Sequence, residues 1–355
     1  MKKVVIVLCI VTILAVFGAS GFYVWGLTPK STDTKEVTFV IEPGTSKTTV
    51  AKNLEMAGLI HNKYVLDVYF YFVESNIQAG EYILSPSMSP EEMIHKFEIG
   101  DVKINTISVT FIEGKRITDY ANAVSEKLKM TKEEFLNTAG DLEYLQELVS
   151  SNRFWFLSDS ILSNQLYYPL EGYLYPDTYE FLENASPKDV IEALLNQTAK
   201  KLEPYKEAVI NSNHSIHEIL TMASIVEKEA NSEQDRKNAA QVFYSRLNSN
   251  MSLGSDVTAF YGARKEMGKD AETYDVLYNV NPYNTRLTDG SMNGKLPIGP
   301  IANPSITSIE AALNPSSTNY YYFVANVCTG EVFFQEDYTE FISKVRELQN
   351  ICSAN

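Results

Sequence analysis

Two carboxylates interrupt an apolar run at residues 221–230, TMASIVEKEA. At about 100° per residue, Glu227 and Glu229 fall inside the apolar arc of a helix, whereas Ser224 and Lys228 form a polar sector on its far side. A carboxylate surrounded by apolar groups is desolvated and therefore suits a general acid, which must keep its proton near neutral pH. The alternative is that the helix surfaces here and both glutamates pair with basic neighbours.

Other site chemistries have no motif in this sequence. The four histidines are His61, His95, His214 and His217, and the segment HSIHEIL lacks the second histidine that an HExxH zinc helix requires. There is no G-x-S-x-G elbow, no Walker loop and no G-x-G-x-x-G fingerprint. We therefore expect neither a bound metal nor a cofactor.

Composition and charge limit the class of protein. The chain has 355 residues, 45% of them hydrophobic and 21% charged, which is typical of a folded protein with one large domain or two. A formal net charge of −15 repels phosphate backbones and argues against nucleic-acid binding. The three cysteines, Cys9, Cys328 and Cys352, make neither a zinc motif nor a disulfide framework, and whether the last two pair stays open.

The N-terminal segment is long and apolar enough to cross a membrane. Residues 4–27 carry no charge, and a span takes about 20 apolar residues. Lys2 and Lys3 precede it, so the positive-inside rule places the N-terminus in the cytoplasm and everything after Pro29 outside. A cleaved signal peptide is the rival interpretation, but the apolar run continues through aromatic residues at 22–25, which favours an uncleaved anchor.

Beyond a polar stalk at 30–36, the sequence predicts a small β-α-α-β-α module. Its predicted elements are a strand at 36–41, helices at 45–60 and 62–73, a strand at 79–84 and a helix at 89–100. The tripeptide VTF at 37–39 recurs at 109–111, where a turn and a helix at 117–128 follow. This recurrence indicates either an internal repeat or a chance match.

From about residue 150 the pattern becomes mostly helical with long loops. Helices are predicted at 187–211, 214–230 and 233–250, a late strand at 319–327 with a hairpin partner at 330–334, and a last helix at 337–350. The intervening segments at 167–181, 251–262 and 281–305 are rich in Pro, Tyr, Asn and Asp. Loops of this length are uncommon in compact domains unless they carry function.

Six segments, taken in order, resemble the endolytic murein transglycosylase (YceG-like) family. They are LEGYLYPDTYEF (170–181), ASIVEKEA (223–230), LGSDVTAFYG (253–262), NPYNTR (281–286), LPIGPIANPS (296–305) and YYFVA (321–325). The resemblance covers most of the chain. It implies an α+β protein with an N-terminal transmembrane helix, a LysM-like module and a mostly helical catalytic domain with long loops and a late β-hairpin.

The implied domain organisation has four parts. Residues 1–29 are the cytoplasmic tip and anchor, residues 30–100 a LysM-like peptidoglycan-binding module, residues 101–150 a second strand–helix connector, and residues 151–355 the catalytic domain. The family cuts peptidoglycan glycan strands at the MurNAc–GlcNAc bond without water and leaves 1,6-anhydro-MurNAc ends. It is a lyase that needs no cofactor.

The resemblance identifies Glu227, the first glutamate of the E-K-E triplet, as the catalytic acid/base. A hydrolysing glycosidase needs a second carboxylate, whereas here the substrate's own C6 hydroxyl would attack. Glu227 would protonate the leaving oxygen and then, as carboxylate, accept the hydroxyl proton. Glu229 would orient its surroundings and is not predicted to be catalytic.

Polar and aromatic side chains on the motif loops are predicted to line a glycan cleft. The predicted substrate-binding residues are Glu171, Tyr175, Asp177, Ser255, Asp256, Thr258, Tyr261, Tyr283, Asn284 and Thr285. Among them, Tyr175 and Tyr261 are suited to stack on pyranose faces. The alternative for each residue is support of its own loop or turn.

The chain departs from the family pattern at a few positions. Val332 and Phe341 stand where many members have histidine, and Gly254 and Val257 stand where Gln and Pro are frequent. We interpret these as variation, and expect a single-pass enzyme of the cell membrane with its catalytic domain outside and with cell-wall synthases (penicillin-binding proteins) as partners. The alternatives are a non-enzymatic peptidoglycan-binding scaffold and a water-using glycosidase with a second essential carboxylate.

Overall fold

The computed structural model describes residues 2–103, 105–271, 273–326 and 329–353. The chain forms two compact units, residues 1–105 and 106–355. About half of the residues are helical, and the strands form three two-stranded antiparallel ribbons among the described residues. The mixed α and β content that the sequence predicts is therefore confirmed.

The first unit joins one long helix to a small module. Helix α1 (Lys2–Gly26) contains a candidate membrane span over Val4–Gly26. This segment has a mean hydropathy of 2.7 and is not buried in protein. The module follows as β1 (Val37–Ile41), α2 (Lys47–Met56), α3 (Lys63–Phe72), β2 (Gly80–Leu84) and α4 (Pro90–Ile99). The predicted β-α-α-β-α order is confirmed.

Pairing and capping explain why the module folds as it does. Strand β1 pairs antiparallel with β2, which places Phe39 opposite Tyr82. Both rings pack on Phe97 of α4, with centroid distances of 5.9 and 4.7 Å. Helix α4 begins with a capping box in which Ser89 and Glu92 satisfy each other's backbone N–H groups. The capping box and the packing of Phe97 in the core thus both stabilise α4.

The second unit is built from helices and two ribbons. Its helices are α5 (Ile117–Lys127), α6 (Lys132–Ala139), α7 (Leu142–Ser150), α8 (Pro187–Leu202), α9 (Lys206–Asn211), α10 (Ile216–Glu229), α11 (Glu233–Asn248), α12 (Asp256–Gly262), α13 (Tyr274–Leu277), α14 (Ile306–Leu313) and α15 (Tyr338–Ser353). Strand β3 (Thr106–Thr110) pairs with β4 (Thr178–Leu182), and β5 (Tyr322–Ala325) pairs with β6 (Val332–Gln335).

One hydrophobic core extends through the second unit from β3 to α14. Val109 beside β4, Phe135 of α6 and Leu148 of α7 belong to the same buried cluster as Ile219 of α10. Residues 106–150, most of the connector predicted at 101–150, lie in one compact unit with residues 151–355. The physical reason is that β3 satisfies its backbone hydrogen bonds on a strand about seventy residues later.

Helix α10 lies at the centre of this core and carries the E-K-E triplet at its end. Ser215 and Glu218 form its N-terminal capping box. The predicted polar sector is wrong at Ser224, which is fully buried: its hydroxyl donates to the carbonyl of Thr221 at 2.7 Å and accepts from the N–H of Ile301 at 3.0 Å. A short hydroxyl whose hydrogen bonds are satisfied by backbone groups can be buried. All residues of α10 from 219 to 226 are therefore buried, and Lys228 is exposed.

Candidate active site

The carboxylate of Glu227 is nearly buried and is held by hydrogen-bond donors. Its side chain is 6% exposed. Oε1 accepts from Nη2 of Arg236 at 3.0 Å, and Oε2 accepts from the N–H and the Oγ–H of Ser305 at 2.9 and 2.5 Å. Charge-assisted bonds of this kind hold a carboxylate firmly in one orientation. The apolar surrounding that the helical projection predicts for Glu227 is therefore wrong, because α11 and the start of α14 supply polar partners.

Arg236 joins three elements around this carboxylate. Its Nε donates to the carbonyl of Ala230 at 3.1 Å, just beyond the end of α10, and its Nη1 donates to Oγ of Ser305 at 3.0 Å and to Thr307. The guanidinium side chain is 13% exposed. Arg236 and Ser305 were missed by the sequence reasoning. The available signals were the position of Ser305 within LPIGPIANPS and a lone arginine nine residues after Glu227.

A glycine turn forms one wall beside Glu227. Gly114 has φ +68°, and a Cβ atom there would lie 3.2 Å from Cγ of Glu227. The turn is tied to the LPIGPIANPS loop because Gly114 N–H donates to the carbonyl of Asn303 at 2.8 Å and Asn303 N–H donates to the carbonyl of Lys115 at 3.0 Å. A side chain at position 114 would strain the backbone and crowd the carboxylate.

Glu171, predicted to bind substrate, is buried and joins three segments of the second unit. It is 1% exposed, and its Oε1 accepts from the N–H of Ile117 at 2.9 Å and from Nδ2 of Asn303 at 3.2 Å. Its Oε2 accepts from the hydroxyl of Tyr261 at 3.2 Å. Burial raises the pKa of Glu171 to about 8. This glutamate thus connects the start of α5, helix α12 and the loop before α14.

Glu229 is positioned by the LGSD segment. Its Oε1 accepts from Oγ of Ser255 at 2.6 Å, and burial raises the pKa of Glu229 to about 7. Ser255 N–H in turn donates to Oγ1 of Thr285 at 3.1 Å, and that hydroxyl lies 2.8 Å from Oγ1 of Thr258. These contacts link the LGSDVTAFYG and NPYNTR segments to the end of α10.

Most of the other predicted substrate-binding residues are also buried. The buried members of the set are Glu171, Tyr175, Ser255, Thr258, Tyr261, Tyr283, Asn284 and Thr285. The rings of Tyr261 and Tyr283 pack on each other at 4.8 Å. Asp177 and Asp256 are partly exposed, and Asp256 pairs with Arg286. The structure thus places most of these side chains inside the motif loops, where they hydrogen-bond or pack against one another.

The YceG-like family model matches residues 39–347 of this chain. The chain belongs to the YceG-like family. Among its relatives, the endolytic murein transglycosylase of Bacillus subtilis (strain 168) is 34% identical over 326 residues, covering 90% of this chain and 88% of that protein. The resemblance drawn from the six segments is confirmed.

Two further proteins are similar to this YceG-like chain. The endolytic murein transglycosylase of Streptococcus pneumoniae serotype 2 (strain D39) is 30% identical over 361 residues, and the match covers 95% of this chain but 64% of that longer protein. A crystal structure of a YceG-like protein from Listeria monocytogenes superposes with a TM-score of 0.60 at 33% identity, covering 87% of this chain and 98% of that one. The fold is thus shared.

A cationic cleft of about 110 Å³ lies beside the site of this YceG-like protein. Its lining includes Gly114 and three cations, Lys115, Arg116 and Lys228. None of the three forms an ion pair within the described residues. The lining carboxylates, Asp119 and Glu266, are engaged with the N–H of Arg116 and with Lys269. The cleft therefore suits an anionic group.

The late positions where the YceG-like pattern often has histidine are occupied by packing side chains. Val332 begins β6, and the ring of Phe341 on α15 stacks on Tyr322 at 5.4 Å. Cys328 lies outside the described residues, and no side-chain description extends to Cys352. The described residues contain no group of three or more His, Cys, Asp or Glu side chains able to hold a metal ion.

The buried Glu171 makes stability depend on pH. Its pKa rises on folding from the ordinary value near 4.5 to about 8, so the folded state keeps a proton that the unfolded state releases. By linkage, its contribution is fully present below about pH 4.5 and is lost as the pH rises through about 8. We expect Glu171→Gln to flatten the fall in the free energy of unfolding between pH 5 and 9, measured by urea denaturation.

The control for this pH dependence is Glu207→Gln, since Glu207 is an exposed glutamate on α9 of the same unit. It should leave the slope against pH unchanged. An unchanged slope in Glu171→Gln as well would contradict the assignment of the linked proton to Glu171.

Proposed function

We propose that this chain is an endolytic lytic transglycosylase that cuts the MurNAc–GlcNAc bond of peptidoglycan and leaves 1,6-anhydro-MurNAc ends. As a member of a family whose curated relatives are named endolytic murein transglycosylases, it is a lyase acting on peptidoglycan. The observation that carries the finer proposal is the geometry of Glu227. One nearly buried carboxylate, oriented by Arg236 and Ser305, lies near a cleft suited to an anionic sugar substituent.

In the proposed reaction a single carboxyl group first donates a proton and then accepts one. Glu227 donates its proton to the glycosidic oxygen as the bond from C1 of MurNAc to that oxygen breaks. The C6 hydroxyl oxygen then bonds to C1, and its proton passes to the Glu227 carboxylate. The residue ends as protonated as it began, and no water is consumed, which explains why no second catalytic carboxylate is needed.

Ser305 allows Glu227 to exist in both protonation states. When Glu227 is ionised, the Ser305 hydroxyl donates to Oε2. When Oε2 is protonated, the same hydroxyl can accept from it and turn its own proton toward Oγ1 of Thr307, which lies 2.9 Å away. Arg236 meanwhile fixes Oε1 and limits the carboxyl group to one orientation. These residues are positioning residues in the proposal.

The proposed cellular arrangement follows from the N-terminal helix and the family. The span over Val4–Gly26 would anchor the chain in the cell membrane, with the N-terminus in the cytoplasm and the catalytic unit outside. The module within residues 30–100 would bind peptidoglycan in a LysM-like manner. Action on nascent strands would end glycan polymerisation, with penicillin-binding proteins as partners.

Product analysis tests this function. The full chain in detergent is incubated with uncrosslinked glycan strands, and the products are identified by mass spectrometry. Fragments with anhydro ends support the proposal. Products with reducing ends would instead indicate hydrolysis and a second carboxylate. Binding without cleavage, while a control enzyme cuts the same strands, would indicate a scaffold.

The cationic cleft predicts a specific loss of affinity. Lys115 is exposed, and its ammonium has no described side-chain partner. A charged hydrogen bond contributes roughly 1.5–3 kcal/mol, and solvent exposure favours the lower end of this range. Lys115→Gln should therefore raise KM about tenfold and leave kcat within about twofold. The matched control is Lys129→Gln, at an exposed pair with Glu183 away from the cleft lining. Equal KM values for the two variants would argue against substrate binding in the cleft.

A further inference from the structure

Helix α3 presents an apolar face that its own module leaves uncovered. Tyr64, Val68, Tyr71 and Phe72 are 64, 44, 84 and 76% exposed, whereas Leu66 on the other face is in the core. These four large apolar side chains are exposed on a helix of only ten residues. They form a contiguous patch of the kind that marks an interaction surface.

The exposed face lies beside the last turns of α1. Tyr64, Val68 and Phe72, spaced four residues apart along one side of α3, line an apolar groove of about 640 Å³ together with residues 19, 20 and 22–24 of α1. The two helices touch at their junction, where the space beside Gly26 is filled by Val65. The groove is therefore continuous with the outer end of the candidate span.

The length of α1 indicates at which level of the membrane this groove would lie. Val4–Gly26 contains 23 residues, which at about 1.5 Å each extend roughly 35 Å, against a hydrocarbon core of about 30 Å. Residues 19–24 therefore lie within the last turns, at the level of the outer acyl–headgroup boundary. Since α3 packs at this same level, its exposed face lies where lipid would be.

We infer that α3 is a second membrane contact, embedded in the outer-leaflet interface with Tyr64, Val68, Tyr71 and Phe72 against lipid. The inference rests on the proposed anchoring by α1. Tyrosine suits this depth because its ring is apolar and its hydroxyl reaches the headgroups. Lys63 and Asp67 leave α3 itself without net charge, and the chain carries −15. The contact is therefore apolar and needs no anionic lipid.

Depth-dependent quenching tests this inference on the full chain. Its native cysteines are replaced by Cys9→Ala, Cys328→Ser and Cys352→Ser, and one NBD label is introduced by Phe72→Cys. The protein is placed at one copy per nanodisc of zwitterionic phosphatidylcholine, with or without lipid carrying a doxyl quencher near the headgroup. We expect quenching of the label at position 72 by at least twofold.

Two further labels separate the possible failures. Phe17→Cys, nine residues or about 14 Å below Gly26, is measured with a doxyl group at mid-chain and reports insertion of α1. Met56→Cys marks α2 of the same module at a comparable exposure of 74%. Quenching at 17 and 72 but not at 56 supports the inference. Quenching at 17 alone overturns it and leaves the anchor intact, whereas no quenching at 17 overturns both. Quenching at 72 that needs two copies per disc would assign the face to a second copy of the chain and also overturn it.

Discussion

Glu227→Gln is expected to reduce the formation of anhydro-ended fragments by about 10³-fold, because the amide can neither donate a proton to the leaving oxygen nor accept one from the C6 hydroxyl. The amide keeps the shape of the side chain and its hydrogen bonds to Ser305. It leaves Arg236 without its charge partner, so some stability is also lost. Initial rates from product mass spectrometry, with thermal unfolding and glycan binding measured on the same preparation, separate these effects.

The matched control for this experiment is Glu229→Gln, two residues along the same helix end. Glu229 accepts one hydrogen bond from Ser255, which an amide oxygen also accepts, so its turnover should fall less than tenfold. Equal losses in the two variants would contradict the assignment of acid/base chemistry to Glu227. Retention of wild-type turnover by Glu227→Gln would remove that assignment altogether.

Gly172→Ala is expected to destabilise the second unit strongly. Gly172 has φ +82°, and a Cβ atom there would lie 2.3 Å from Cβ of Pro300. The backbone strain costs about 1–2 kcal/mol and the overlap about 1–3 kcal/mol, so the free energy of unfolding should fall by roughly 2–5 kcal/mol. Urea denaturation measures this loss, and activity at low temperature reports whether the site survives.

Gly268→Ala separates backbone strain from overlap, since Gly268 has φ +84° in the same unit and nothing lies within 4 Å of its added Cβ. It should cost only about 1–2 kcal/mol. Equal losses at positions 172 and 268 would show that the Gly172–Pro300 contact relaxes freely. The larger loss at 172 would show that the LEGYLYP and LPIGPIANP segments are tightly packed together.

Buried hydrogen bonds join the motif segments to one another. Asn303 accepts from the N–H groups of Gly172 and Leu174 through Oδ1, and its Nδ2 donates to Glu171. The same residue pairs with the Gly114 turn through its backbone. Because these loops are long and irregular, buried side-chain bonds must take the place of a helix or sheet ladder. Sequence reasoning assigned several of these buried groups to substrate contact.

The sequence by itself determined the features that depend on neighbouring residues along the chain. Local periodicity and caps predict the apolar N-terminal helix, which is a candidate membrane span, the β-α-α-β-α order and the helix that ends in the E-K-E triplet. The family membership follows from the order of the six motif segments. The periodicity and capping signals operate within a few turns of chain, so one segment is sufficient to indicate each of these helices and strands.

Only the tertiary structure decided which groups surround each side chain. A projection of α10 alone places Glu227 among apolar residues, but folding brings Arg236 and Ser305 to it from α11 and from a loop 78 residues away. Likewise Ser224 is buried because the N–H of Ile301 reaches it, and β3 belongs to the second unit because it pairs with β4. Except for Arg236, nine residues after Glu227, these partners meet only through closure of long loops, and local propensity carries no information about that closure.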